Sequence, residues 1–263
     1  MCIRDSFLNP GATFNARLDA IATLYVREPK QAAKLIAPWL ETLQPNEHTL
    51  LVSRLSLNPQ TCASLLEFTE QEKIPASAWN SDQQSALSRK DRKSKGAAKV
   101  ASYLKKHDAQ LATQKKEKVA TYLKATQTLE GNPTVGQAFF QSCLACHQVG
   151  DQGIKVGPPL DGSANRDVGH LLTAIVDPDA AVEGAYAAYY VLKTDGTVLE
   201  GILKRQTPKG TTLIGAGGAK TFIPHYLILA EGNFGKRSFM PASFGSFSDQ
   251  MMTDLVAYIM TLK

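Results

Sequence analysis

Residues 143–147 read Cys-Leu-Ala-Cys-His, and no other stretch restricts what this chain can fold into so tightly. Two cysteines three positions apart, followed at once by histidine, form the attachment signature of a c-type haem. The spacing has a physical basis. Two thiols on one helical turn can each form a thioether to a haem vinyl group, and His147 is then held beneath the iron as its proximal ligand. A zinc site would need a second Cys/His pair at ligand spacing, yet the other cysteines, Cys2 and Cys62, stand alone. A thioredoxin-like dithiol would need a βαβ context, and the flanking sequence offers none.

The surroundings sharpen this reading. Upstream, Thr134–Ser142 is a short amphipathic helix carrying Gly136 and the pair Phe139-Phe140. Downstream come a rigid turn, Gly157-Pro158-Pro159-Leu160, and a loop, Ser238-Phe239-Met240-Pro241. In the closing stretch, apolar residues at 252, 255, 256 and 259 make one helical stripe. Ser248 suits its N-cap and Asp249 its first turn. Helix, motif, Gly-Pro turn, Met-Pro loop and final helix follow one another in an order far more specific than any single element.

On these motifs, residues from about 132 to 263 resemble a class I-type cytochrome c. More closely, they are similar to the haem-binding domain family abundant in planctomycetes and verrucomicrobia, where a β-rich insertion separates the haem motif from the axial methionine. Gly136 and Phe140 match the glycine and aromatic of the helix before the motif, and Tyr258 matches the aromatic of the closing helix that packs across it. The resemblance implies one covalent haem c per chain, with the carbonyl of Pro158 accepting from the second ring nitrogen of His147. Pro159 departs from the pattern, since such domains usually carry a polar residue there; it stiffens the turn and removes no ligand.

The sixth ligand is the decisive choice. Met240, Met251, Met252, His170 and His225 are the candidates. Met240 lies in a loop nine residues before the last helix begins, the position cytochromes c use. Met252 falls on the apolar stripe, Met251 is close to the helix start, and both histidines sit at ordinary polar positions. A His147/Met240 pair raises the reduction potential and fills both axial sites, which points to electron transfer and assigns no catalytic residue. The alternative is a peroxidase-like haem enzyme with an open sixth site. Arg166 is the candidate partner of a haem propionate, since guanidinium forks suit carboxylates; its other reading is a surface arginine in a loop. Tyr186, Tyr189 and Tyr190 either flank the haem or pack the hairpin, and core packing is the favoured reading.

Residues 12–128 read as helices. Phe14–Arg27, Pro29–Leu43, Glu47–Leu57 and Pro59–Lys73 are apolar-periodic segments, broken at Glu28-Pro29 and Asn58-Pro59 with proline at or near the first helical position. Helix pairs of this length read as an α-solenoid of the HEAT type, and Cys62–Leu66 through Ile74-Pro75 is similar to the helical repeats that precede the haem domain in the named family. The expected fold is therefore mainly α: a HEAT-like solenoid over 7–130, then a cytochrome c domain over 131–263 with a small β-rich insertion at about 186–230. Within that insertion, Ala188–Leu192 and Thr197–Leu203 flank Asp195-Gly196 as a hairpin. Thr211–Ile214, Thr221–Ile223 and Leu227–Ala230 follow as short strands. Val168–Val176 reads as a helix stopped by Asp177-Pro178.

The net charge of +5 is unevenly placed, +6 over 1–131 and −1 over 132–263, with 12 basic against 3 acidic residues in 89–124. Interrupting apolar residues make this a solvated helix face; no nucleic-acid-binding motif accompanies it. No apolar run spans a membrane. Met1–Ser6 reads as an artefactual leader, so the location is inferred from the motif: periplasmic or otherwise exported. The expected partner is a redox protein, or an upstream dehydrogenase-like domain of a larger protein.

Overall fold

The computed structural model describes residues 3–195 and 197–263. The backbone divides into two compact units. The first comprises the chain up to Asp108 with Tyr190–Leu199 and Ile223–Gly235; the second comprises Ala109–Tyr189, Glu200–Phe222 and Lys236–Lys263. The sequence boundary at 130/131 is placed differently from this division.

The first unit is built from α1 (Ile3–Leu8), α2 (Phe14–Arg27), α3 (Pro29–Leu40), α4 (Pro45–Leu55), α5 (Pro59–Glu70), α6 (Ser81–Ala86) and the start of α7 (Lys95–Thr128). Local chemistry sets these limits. The Thr13 side chain accepts from the Ala16 N–H at the start of α2, and Gln44 and Glu47 form a capping box around Pro45 at the first position of α4. Their apolar faces share one core that includes Ile21, Tyr25, Ile36, Leu40, Leu51 and Leu65, all fully buried. Trp79 is buried there and donates from its indole nitrogen to Thr69 Oγ1 at 2.9 Å. Within the stretch read as a leader, Met1 and Cys2 lie outside the described residues. Ile3–Leu8 is helical, and Phe7 of α1 is buried edge-on to Trp39.

Helix α7 runs for 34 residues. Val100 and Leu104 are buried near its start and Tyr122 and Ala125 near its end, but every residue from 105 to 114 is exposed. The basic stretch is thus a solvated helix, as its charge pattern implies. No helix among the described residues is long and apolar enough to cross a membrane.

The second unit holds α8 (Pro133–Phe140), α9 (Val168–Val176) and α10 (Asp249–Ile259) around a core of Tyr122, Phe140, Leu172, Met252, Leu255 and Ile259. Two short strands, β1 (Gln148–Val149) and β2 (Gln152–Gly153), pair after the Cys-x-x-Cys-His motif; sequence reasoning has no period to detect in two-residue strands. A five-stranded sheet, ordered β6-β5-β4-β3-β7, is formed by β3 (Ala187–Lys193), β4 (Val198–Thr207), β5 (Gly210–Ile214), β6 (Lys220–Pro224) and β7 (Ile228–Ser238). Asp195 of the expected hairpin turn accepts from the Thr197 N–H; Gly196 lies outside the described residues. The insertion extends past 230, because β7 continues to Ser238 through Glu231-Gly232-Asn233, where apolar alternation lapses but backbone pairing does not.

Candidate haem site

Helix α8 delivers the motif. Asn132 caps it, accepting from the Thr134 and Val135 N–H groups, while its own N–H donates to Asp254 Oδ1 at 2.8 Å. Gly136 lets α8 cross α10 at close range, since a Cβ there would stand 1.9 Å from the Asp254 carbonyl oxygen. Four residues on, the Phe140 and Tyr258 rings pack with centroids 5.0 Å apart. The three residues singled out by resemblance thus meet in one helix crossing.

After α8 the chain makes a single tight 3-10 turn, Cys143–Ala145. The Cys143 carbonyl accepts from both the Cys146 N–H (3.1 Å) and the His147 N–H (2.8 Å). Both thiols are free and partly buried, and they look into different surroundings. Cys143 packs against the helical core, whereas Cys146 packs against Val156, Ile202 and Ile214. Burial pushes both thiols above their ordinary pKa, so they are held protonated. Among the described residues no group of three or more His, Cys, Asp or Glu side chains could hold a metal ion.

His147 is fixed from two sides. Its Nδ1 lies 2.7 Å from the Pro158 carbonyl oxygen; a carbonyl only accepts, so Nδ1 carries the proton and Nε2 presents a lone pair. Gly157 lies flat on the ring, where a Cβ would stand 2.7 Å from Cε1 and 3.2 Å from Nε2. The segment beyond the motif folds back on it. The Cys146 carbonyl accepts from Val156 and Gly157 at 3.0 and 2.7 Å, Leu160 donates to the Gln148 carbonyl, and Asp161 Oδ1 accepts from the Gly150 N–H at 2.7 Å. The carbonyl facing His147 is thus held by backbone on both flanks.

The remaining site residues are placed as follows. Met240 is half-buried in a loop held at successive residues. The Ser238 N–H donates to Asp179 Oδ1 at 2.7 Å, the Phe239 N–H to the Tyr186 carbonyl at 3.2 Å, and the Met240 N–H to Ser238 Oγ at 3.1 Å. Phe239 packs in the same apolar cluster as Cys146, which brings the Met-Pro loop beside the motif. Met252 is fully buried in the helical core. His170 and His225 are exposed, and His170 lies 3.4 Å from Asp167. Arg166 is exposed at the end of a 3-10 turn, Ser163–Asn165. Sequence reasoning passed over Ser163, which is fully buried with no hydrogen-bond partner for its hydroxyl among the described residues. It also passed over Ile202 and Ile214; their apolar alternation marked strands but not what the strands pack against.

The cytochrome c family model matches residues 134–206. The chain carries a class I-like cytochrome c domain. Over 41 residues it is 46% identical to cytochrome c2 iso-2 of Rhodospirillum centenum and 51% identical to cytochrome c2 of Rhodoblastus acidophilus. Those segments are 15% of this chain and 34% and 37% of the two relatives, so the chain spans about a third of the length of the curated relatives it matches. A cytochrome c domain carries covalently bound haem c, and the residues present fit that group. Two unlinked thiols, an imidazole with Nε2 free and a glycine lying against the ring face suit a covalently held macrocycle.

Proposed function

We propose that this chain is a monohaem c-type electron-transfer module with His147 and Met240 as axial ligands. Cys143 and Cys146 are the attachment thiols, Pro158 orients His147, and Arg166 serves the propionates. The observation that carries the reading is the 2.7 Å contact between His147 Nδ1 and the Pro158 carbonyl oxygen. It fixes the tautomer, turns Nε2 into the ligand atom and raises its basicity. When bound, haem c supplies a one-electron couple between ferric and ferrous iron. The chain's own part would be to hold the His147 imidazole and the Met240 thioether so that neither moves when the charge changes. Gly157 sets the plane of the imidazole. Pro241, with φ −71°, and the anchors at 238–240 limit the loop that presents the Met240 thioether.

The remaining parts of the proposal follow from this one. Thioether attachment to Cys-x-x-Cys-His takes place outside the cytoplasm, so the protein is periplasmic or otherwise exported. The HEAT-like helices of 7–130 act as scaffold or docking surface, and the chain is the C-terminal part of a larger dehydrogenase-like protein or meets a separate redox partner.

Expression with a c-type maturation system tests the site. The mass should rise by one haem that survives acid-acetone extraction, and replacing both Cys143 and Cys146 by Ala should abolish the covalent link. Freely extracted haem in the wild type overturns the attachment. Met240→Ala should convert a low-spin spectrum to one that binds carbon monoxide or imidazole, with a lower potential. An unchanged spectrum and potential would remove Met240 from the iron, and a high-spin wild type would favour the open-site enzyme.

A further inference from the structure

One face of the β4–β5 hairpin packs on the residues around Cys146. Ile202 and Ile214 are direct partners in its ladder, are 7% and 8% exposed, and form one apolar cluster with Val156. Cys146, Ile154, Tyr186 and Phe239 pack against that cluster. The next pair, Leu203 and Leu213, points to the opposite face by the alternation of a strand, and Leu213 is buried there. The turn after β5, Ala216–Gly218, closes on the same place. This turn packs against the Cys143–Ala145 turn of the motif. Gly218 comes so near Ile154 that a Cβ would lie 2.8 Å from Ile154 Cγ2. Gly217 and Gly218 both have positive φ, 76° and 78°, a succession that only glycine adopts without strain. The insertion is therefore shaped for close approach to the second cysteine.

We propose that the β4–β5 hairpin, with its Ala216–Gly218 turn, is the dry wall of the haem pocket at the Cys146 edge. Ile202 and Ile214 act there as positioning residues that keep the reduction potential high. The proposal rests on the reading of Cys146 as an attachment residue. The physical reason is the charge change on reduction. The oxidised centre carries one more positive charge, and water at its edge stabilises that form; an apolar shell withholds the water and favours the reduced form.

The test uses the full haem-loaded chain and reads its midpoint potential by redox titration. Threonine and valine are nearly isosteric, so Ile202→Thr against Ile202→Val, and Ile214→Thr against Ile214→Val, isolate polarity from volume. Each threonine variant should shift the one-electron equilibrium by about threefold or more toward the oxidised form, about 30 mV at 59 mV per tenfold change. Its valine counterpart should stay near the wild type. Leu213→Thr is the control on the other face; it should lower stability and leave the potential unmoved. If a threonine variant fails to mature, the comparison moves to covalent haem yield: loss at 202 and 214 with retention at 213 supports the wall. Equal behaviour at all three positions, in potential or in yield, overturns it. A wild type without covalent haem would instead sink the attachment reading, so the two failures are distinguishable.

Discussion

Gly136→Ala is the sharpest test of how the motif is held. The added Cβ would stand 1.9 Å from the Asp254 carbonyl oxygen, 2.5 Å from its carbon and 3.0 Å from Tyr258 Cβ. Ordinary van der Waals contact begins at 3.4 Å, so α8 and α10 must separate by about 1.5 Å or tilt apart. The nearest obstacle is helical backbone, which cannot swing away as a side-chain tip can. Moving it also loosens the Phe140–Tyr258 pair, at 5.0 Å, and the packing of Met252 and Leu255 in the same core. Overpacking a tight core costs roughly 1–3 kcal/mol, and this site belongs at the upper end because backbone must move. Alanine's better helix propensity returns about 1 kcal/mol. The net expectation is a loss of about 2 kcal/mol.

Guanidinium chloride unfolding of the haem-loaded chain, followed in the Soret and far-UV bands, reads this as a lower midpoint at unchanged slope. Gly169→Ala in α9 is the matched control. Its Cβ would stand 3.0 Å from Asp167 Oδ1, the oxygen that caps α9, and 4.0 Å from Leu123 Cδ2; a shift of a few tenths of an ångström accommodates it without breaking the cap, so this variant should stay within about 1 kcal/mol of the wild type. If Gly136→Ala proves as stable as Gly169→Ala, the close crossing at Gly136, Phe140 and Tyr258 is not what seats the motif.

Other outcomes follow from single groups. The Tyr122 hydroxyl shares its one proton between the carbonyls of Gly245 and Phe247, at 2.9 and 2.5 Å, so Tyr122→Phe should cost about 1–2 kcal/mol by leaving part-buried acceptors unmet; an unchanged denaturation midpoint would refute it. His48 is buried, its Nδ1 is unpartnered, and burial lowers its pKa below 6.5 against the opposing pull of Glu47. The unfolded chain therefore takes up this proton first as the solution is acidified. The stability His48 contributes is complete above about pH 6.5 and is lost as pH falls from there through the folded value. His48→Gln should flatten that slope in denaturation midpoints measured from pH 7.5 to 5, and an identical slope would show that other groups set it.

Much of this was legible in the chain because it is written locally. Val168–Val176 has the same bounds in sequence and structure, with Asp167 capping by accepting from the His170 N–H. Ser248 caps α10 through the Met251 N–H. The Pro158 acceptor, expected from resemblance, is present at 2.7 Å. What escaped is long-range. Nothing in the alternation of β4 and β5 says that one face meets Cys146, more than fifty residues earlier, because a period of two reports sidedness and not the neighbour. Ser163 sits in a polar-looking loop, and only the packed structure reveals that its hydroxyl is buried without a partner. The charged middle of α7 gave a helix but no sign of where the compact units divide.

That division has a consequence for dissecting the protein. In the first unit, Leu192 and Leu229 line a small cavity together with Ala22, Val26, Leu55 and Thr61, so strand residues far along the chain cover helices α2 and α4. Tyr190 packs on Phe234 at 5.0 Å within the same unit. A fragment ending at residue 130 keeps the helices and loses these strand segments. Each large apolar side chain removed from a buried contact forfeits about 1.5–3 kcal/mol, and Val191 and Leu192 alone are 0% and 3% exposed. Folded domains have only about 5–15 kcal/mol in hand. The fragment 7–130 should therefore stay helical by circular dichroism but melt over a broader range and at lower temperature than the helical signal of the full chain. Cooperative melting of 7–130 at the full-chain temperature would show that the helices hold one another without the strands, and that the boundary near 131 is the physical one.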